Sequence, residues 1–294
     1  FRTNINKGGV LMNLVKKILS IVIFFTCVSS VFSLDIETSI SSGNTHFNSS
    51  GNTGAIPDFG FKLILNEDLG KNINGKLSIQ RDLGIGNSIW GRIAYVTDMI
   101  NISIGPTLSV FNAGFNNKNV STIFQPGLGT SLSFKLPIGF FTSLDTNFSI
   151  PVNTATTKNV YLQNGLFDIG WRFPNIIASV KISQKNKSIV EAAQETHISI
   201  TDLGFYTLSY SKPSRIKIPV NIIYRINHFQ KTGSLNEKIA NIILETGISH
   251  AISGDIEWFS NFGTSVFSFS LTQKGSSIKK FFFSAEAGVR FIIQ

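Results

Sequence analysis

From Leu34 onward, apolar and polar residues alternate along the chain in one segment after another. In the last segment one parity is apolar and the other is largely polar; the two sets are Phe281, Phe283, Ala285, Ala287, Val289, Phe291 and Ile293 against Phe282, Ser284, Glu286, Gly288 and Arg290. Successive side chains of a strand point to opposite faces, so this pattern predicts a strand with one apolar and one polar face. Such strands occur in soluble half-buried sheets and in membrane barrels with lipid outside and water inside.

Comparable segments recur along the chain and predict an all-β, antiparallel fold of about 12 to 14 strands. Tight turns are expected at 137–139, 174–175 and 253–254, and longer polar loops such as 43–54 separate other segments. Short turns at one end and long loops at the other are typical of an outer-membrane barrel. Two local predictions depart from plain alternation: a helical turn over 188–195, and a turn over 261–264 that divides 256–271 into two strands.

The start of the chain has a different character. We interpret residues 1–11 as an upstream extension that does not belong to the biological protein, because Met12 opens a short basic region followed by an apolar run to Cys27. Small residues follow, and the whole of 12–33 matches a secretory signal peptide with cleavage between Ser33 and Leu34. The alternative, a membrane anchor, requires a longer apolar run of roughly 20 residues.

Cys27 is the only cysteine, and it lies inside the predicted signal peptide. A lipoprotein acceptor is the alternative interpretation of this residue, but the small residues after it favour cleavage at Ser33. The mature chain would then lack cysteine, which excludes disulfides and thiolate metal sites.

Composition narrows the choice of fold class. Charged residues make up 15% of the chain, against roughly 25% in an ordinary soluble domain. The net charge of +9 comes from dispersed Lys and Arg, which argues against nucleic acid as a partner. Since no linker divides residues 34–294, we expect a single domain. Low charge, export and strand lengths near those of spanning strands favour a closed transmembrane barrel over a soluble β-sandwich.

The signal peptide, the amphipathic segments and the Phe-rich last strand resemble those of outer-membrane β-barrel proteins of diderm bacteria. The resemblance covers the mature chain as a pattern and includes no specific motif. It implies outer-membrane lipid and the barrel-assembly machinery as partners. Many such proteins end on an aromatic residue, whereas this chain ends on Gln294.

Candidate chemistry is sparse. The four histidines are not arranged at metal-ligand spacing, and no nucleotide or hydrolase motif is complete. We therefore expect no catalytic site, metal or cofactor. Charged residues within strands should face the lumen, because Arg or Lys at the lipid midplane costs about 2–4 kcal/mol. The candidate lumen residues are Glu37, Lys62, Lys76, Arg92, Lys135, Asp145, Arg172, Lys181, Glu286 and Arg290.

These expectations lead to one functional hypothesis with alternatives. The chain is expected to be an integral outer-membrane barrel for porin-like, passive transport of small solutes, without enzymatic activity. The alternatives are a surface-exposed barrel or a soluble β-sandwich that acts as an adhesin or binding protein.

The signal-peptide prediction can be tested by N-terminal sequencing and intact mass of the protein expressed from Met12 in a diderm host. We expect a mature chain that begins at Leu34, and a Cys27→Ser variant processed identically. A lipid-modified N-terminus at Cys27, lost in the Cys27→Ser variant, would contradict the prediction.

Overall fold

A computed structural model describes residues 34–44, 58–82, 86–113, 121–151, 157–191, 194–233, 235–272 and 282–293. Fourteen antiparallel strands form one sheet that closes on itself, with each strand beside its sequence neighbours and β1 beside β14. The predicted antiparallel barrel is thereby confirmed, at the upper end of the expected strand number. The sandwich alternative is wrong, because all strands belong to a single closed sheet.

The strands follow the alternating segments of the sequence. Their bounds are β1 Leu34–Gly43, β2 Asp58–Gly70, β3 Ile73–Asp82, β4 Gly86–Val96, β5 Ile100–Ala113, β6 Ser121–Lys135, β7 Phe140–Ser149, β8 Thr157–Arg172, β9 Ile176–Glu191, β10 Gln194–Ser211, β11 Ile216–Lys231, β12 Leu235–Ala251, β13 Ile256–Ser270 and β14 Phe283–Ile293. Within the described ranges, no helix is long and apolar enough to cross a membrane.

The two ends of the barrel differ in their connections. Leu34 pairs with Ile293, so the first and last strands meet at one end, which we call the terminus end. All connections at this end are short, for example 71–72, 136–139 and 173–175. Gly139 adopts a φ of 93°, a left-handed conformation that glycine enters without steric cost. The longer connections, such as 44–57 and 271–282, join strands at the opposite end, called here the loop end.

The alternation of side chains gives the barrel an apolar outer face. Ile93 is 63% exposed and Ile222 is 54% exposed, and both lie on the outward parity of their strands. The same parity in other strands carries Ile104, Leu132 and Phe205, which are also exposed. Exposed apolar side chains arranged around a closed sheet are the surface that a lipid bilayer covers.

Aromatic side chains border this surface near the terminus end. Trp171 packs edge-on against Phe140 with ring centroids 5.9 Å apart, and Trp258 and Tyr95 lie on the outward parity at comparable heights. A girdle of this kind marks a membrane interface. Trp90 and Tyr206 are different, because they occupy the inward parity of β4 and β10.

The wall bends sharply between β4 and β7. β5 approaches β7, and β4 approaches β6, although one strand separates each pair. Glycines occupy the inner face of this corner: a Cβ at Gly105 would lie 1.9 Å from the Gly91 carbonyl oxygen, and one at Gly127 would lie 2.1 Å from the Phe148 carbonyl oxygen. Glycine therefore permits this curvature, as it does at the corners of other barrels.

The wall is taller on the side of β8 to β12, where each strand has 16 to 18 residues. The extra length extends toward the loop end, and we call it the projecting wall. It includes residues 188–191 of β9 and 194–195 of β10, so the predicted helical turn over 188–195 is wrong. The outward residues Gln184, Asn186 and Ser188 of β9 are polar because this part of the outer face lies beyond the apolar band, where lipid no longer requires apolar residues.

A second local prediction also fails. Residues 256–270 form one strand without a turn at 261–264, and a bulge opposite Ile242 and Ile243 interrupts the regular pairing. An extra residue in one strand shifts its parity. The shift falls at Val266, between Ser265 and Phe267, so the exposed Phe262 and Phe267 lie on the same face although their numbers differ in parity.

Closure of the sheet can be tested by a disulfide across β1 and β14. Thr38 faces Val289 in the register, and directly opposite residues bring Cβ atoms within disulfide reach. A T38C/V289C variant should oxidise to a circularised chain that migrates differently from its reduced form on a denaturing gel. A T38C/V220C control places the second cysteine on β11 and should stay open; equal crosslinking of both variants would contradict this register.

Candidate functional site: the barrel lumen

All ten predicted lumen residues lie on the inward parity of their strands, opposite the exposed apolar side chains. The structure brings them into separate groups along the wall. Most of them contact a residue of opposite charge, and several of these counter-ions come from strands that are distant in sequence.

The first group joins the two terminal strands. Arg290 of β14 donates hydrogen bonds to Asp35 of β1, with Nε 2.9 Å from Oδ1. Glu286 accepts a hydrogen bond of 2.6 Å from the Ser39 hydroxyl across the same seam. Lys62 of β2 contacts Glu37 at 2.7 Å and Glu286 at 3.4 Å. Lumenal polar contacts therefore reinforce the backbone pairing that closes the barrel.

The second group continues the first along the wall toward β11. Lys217 contacts both carboxylate oxygens of Glu257, at 2.7 and 2.8 Å, and Ser249 donates a further hydrogen bond of 2.7 Å to Glu257. Glu257 lies opposite Arg290 in the β13–β14 register. The two groups border a common lumenal cavity of about 300 Å³.

The third group crosses the glycine corner. Arg92 of β4 reaches over β5 and β6 to β7, where it contacts Asp145 at 2.7 Å and Asn147 at 2.7 Å. The Arg92 side chain is only 3% exposed. Gly129 makes room for it, since a Cβ there would lie 2.9 Å from the Arg92 Nε. Asp145 thus neutralises a cation that the curved wall has removed from water.

A fourth group lies on the inner face of the taller side. Arg225 forms a two-point ion pair with Asp202, with both nitrogen–oxygen distances at 2.7 Å. Lys181 lies 3.7 Å from Asp168 and 4.6 Å from the Tyr206 ring centroid. These contacts connect β8 to β11 and complete a lumen in which acids and bases alternate.

Three predicted lumen cations have no carboxylate within 4 Å in the part of the chain that the structure describes. Lys76 lies 5.4 Å from the Trp90 ring centroid, which Arg92 also contacts at 4.7 Å. Lys135 and Arg172 are exposed at the terminus end of their strands.

The candidate set omitted several counter-ions. Asp168, Asp202, Lys217, Arg225 and Glu257 line the lumen, although none was included. The parity of each strand contained the necessary signal: Lys217, for example, falls between Ile216 and Ile218. The parity of a strand does not show which acid pairs with which base. Arg92 and Asp145, for example, lie on β4 and β7, which only the folded barrel brings close together.

The projecting wall buries apolar clusters on its inner face, beside inward polar residues such as Asn227 and Lys187. Its inner face carries Ile198, Phe229 and Ile239, which form a buried apolar cluster, and Leu162 and Ile200 form another. Its outer face carries polar residues, among them Gln163, Asn186, Ser199, His197 and His228. A sheet outside the membrane has water on its outer side, so its apolar face turns inward.

Histidines and acids provide no further chemistry here. The His197 and His228 rings meet edge-on with centroids 6.1 Å apart on the outer side of the projecting wall. In the described ranges, no three His, Cys, Asp or Glu side chains are grouped where they could hold a metal ion.

Comparison with solved structures finds the same architecture in outer-membrane channels. The CymD monoaromatic hydrocarbon channel matches with a TM-score of 0.54 and 10% identity, over 90% of this chain and 88% of that one. An outer-membrane channel from Pseudomonas putida F1 matches with a TM-score of 0.53 and 7% identity, over 89% and 95% of the two chains. The chain has the fold of an outer-membrane β-barrel. No protein-family model matches the sequence, and no curated protein matches it either.

The Arg92 ion pair can be tested by unfolding in detergent, followed by Trp fluorescence. Asp145→Leu should lower the free energy of unfolding by about 3 kcal/mol, because it leaves a buried guanidinium without its carboxylate. The double variant R92M/D145L should recover most of this loss, since both charges are then absent.

Asp58→Asn is the matched control, because its partner Arg81 is half exposed and such pairs contribute at most about 1 kcal/mol. Equal destabilisation by Asp145→Leu and Asp58→Asn would contradict the assigned role of Asp145.

Proposed function

We propose that the protein is a porin-like channel of the bacterial outer membrane that lets small polar solutes pass without energy input. One observation carries the proposal: a closed wall with an apolar outer face surrounds a lumen lined by polar and charged side chains. Charges inside a sealed barrel would each need a partner, whereas Lys76, Lys135 and Arg172 have no carboxylate within 4 Å among the described residues, which a hydrated lumen allows.

The geometry favours a narrow channel over a wide one. Buried apolar clusters occupy the inner face of the projecting wall, and Arg92 and other long side chains lie within the lumen. The similar solved structures support a transport role, because the two reported above, with TM-scores of 0.54 and 0.53, are both described as channels. They also support a role without catalysis.

The lumenal charges favour weak ion selectivity. Each of Asp35, Glu37, Asp145, Asp168, Asp202, Glu257 and Glu286 lies beside a base. Paired charges produce little net potential along a pore, whereas Lys76, Lys135 and Arg172 add positive charge without a carboxylate within 4 Å among the described residues, so the pore should prefer anions weakly.

A second function, binding of an envelope or host partner, is favoured by the projecting wall. Its polar outer face extends past the apolar band at the loop end, where it would be accessible from outside the membrane. This role is compatible with a channel in the same molecule.

Planar-bilayer recording tests the channel. Refolded protein should insert with small, stepwise conductances, and its reversal potential in a KCl gradient should show a weak preference for Cl⁻ over K⁺. Protein unfolded by boiling serves as the control. Folded protein that enters the bilayer without conductance would overturn the proposed function, and a preference for cations would contradict the excess of bases in the lumen.

A further inference from the structure

The lumenal cavity near the terminus end differs from a plain ion pathway in two respects. Its charges balance, and part of its lining is apolar. Its volume is about 300 Å³, and its lining includes three bases, Lys62, Lys217 and Arg290, together with three acids, Glu37, Glu257 and Glu286. The charges therefore balance within one small space. A solute with a single charge gains no net attraction from such a lining.

The same cavity has an apolar side. Leu208, Pro219 and Phe259 belong to its lining and are half-buried. Lys62 lies 5.9 Å from the Phe259 ring centroid, although two strands separate β2 from β13 around the wall. Charged and apolar surfaces therefore face one common space.

We propose that this cavity is a binding site for a small zwitterion with an apolar body, such as a neutral α-amino acid. The inference rests on the proposed channel function and names a class of solute for it. The ammonium of the solute would contact the lining carboxylates, its carboxylate would contact Lys217, and its apolar part would cover Phe259 and Pro219. Charge-assisted hydrogen bonds of this kind are the stronger ones in proteins.

Ion pairs already present in the lining do not block such binding. The side chains of Lys217 and Lys62 are 33% and 31% exposed to the lumen. Ion pairs exposed to this degree are weak, so a zwitterion can exchange partners with them. Both ends of the solute then find an opposite charge and no ionised group is left alone. A solute with one charge would leave a lining residue without its partner.

The experiment compares three solutes that share one isobutyl group. Leucine carries both charges, 4-methylpentanoate only the negative one, and 3-methylbutylamine only the positive one. Calorimetric titration of the refolded protein in detergent should give a leucine affinity about tenfold higher than that of either relative. Glycine, which lacks the apolar body, should bind more weakly than leucine.

Variants identify the cavity as the site. K217M/E257Q should lose most of the leucine affinity, because it removes the cation that would hold the carboxylate of the solute. R81M/D58N removes an exposed ion pair at the loop end and serves as the control that leaves binding unchanged. Each variant is first checked for a folded barrel by its migration on a gel without boiling.

The outcomes separate this site from the channel. Equal affinity for the three solutes, or unchanged leucine binding in K217M/E257Q, would overturn the zwitterion site even if the protein conducts ions. Leucine binding that follows the expected order in a protein without conductance would support the site and refute only the channel.

Discussion

The hydrogen-bonded pairing of β1 with β14 is the contact on which the rest of the structure depends. Every residue of β1 from Leu34 to Gly43 faces a residue of β14, so the sheet has no free edge. Backbone groups in hydrocarbon have no water to bond to, and an open edge there would cost several kcal/mol for each unsatisfied group. Closure is therefore a condition for placing the apolar outer face in lipid. The contacts of Arg290 with Asp35 and of Glu286 with Ser39 reinforce the same seam from inside.

Closure also places the charged residues. Within the membrane, one face of every strand contacts lipid. Ionised side chains there must therefore lie on the other face, in the limited volume of the lumen. The structure meets this condition by pairing acids with bases around the wall. Where the wall bends most, Gly105 and Gly127 permit close approach of neighbouring strands, and Gly129 leaves space for Arg92 to reach Asp145. Backbone curvature and lumenal charge pairing are thus linked in one corner of the barrel.

In the projecting wall, the solvent around the sheet likewise decides which side chains face outward. Within the membrane, apolar residues face outward and polar residues face inward. Beyond it, on β8 to β12, Ile198, Phe229 and Ile239 turn inward while His197 and His228 turn outward. The change follows from what surrounds the sheet at each height, lipid or water. It gives the molecule a polar lumen toward the terminus end and buried apolar clusters among inward polar residues toward the loop end.

The sequence by itself determined the antiparallel barrel, its approximate strand number and the inward position of the charged residues, because period-two alternation states directly which side chains share a face. It misassigned 188–195 and 261–264, where a polar outer face and a bulge conceal a continuing strand. Only the tertiary structure decided which charges meet, that glycines form a corner, and that Lys62, Lys217 and Phe259 border one cavity. These contacts join strands far apart in the chain, and alternation along one strand contains no information about distances across the lumen.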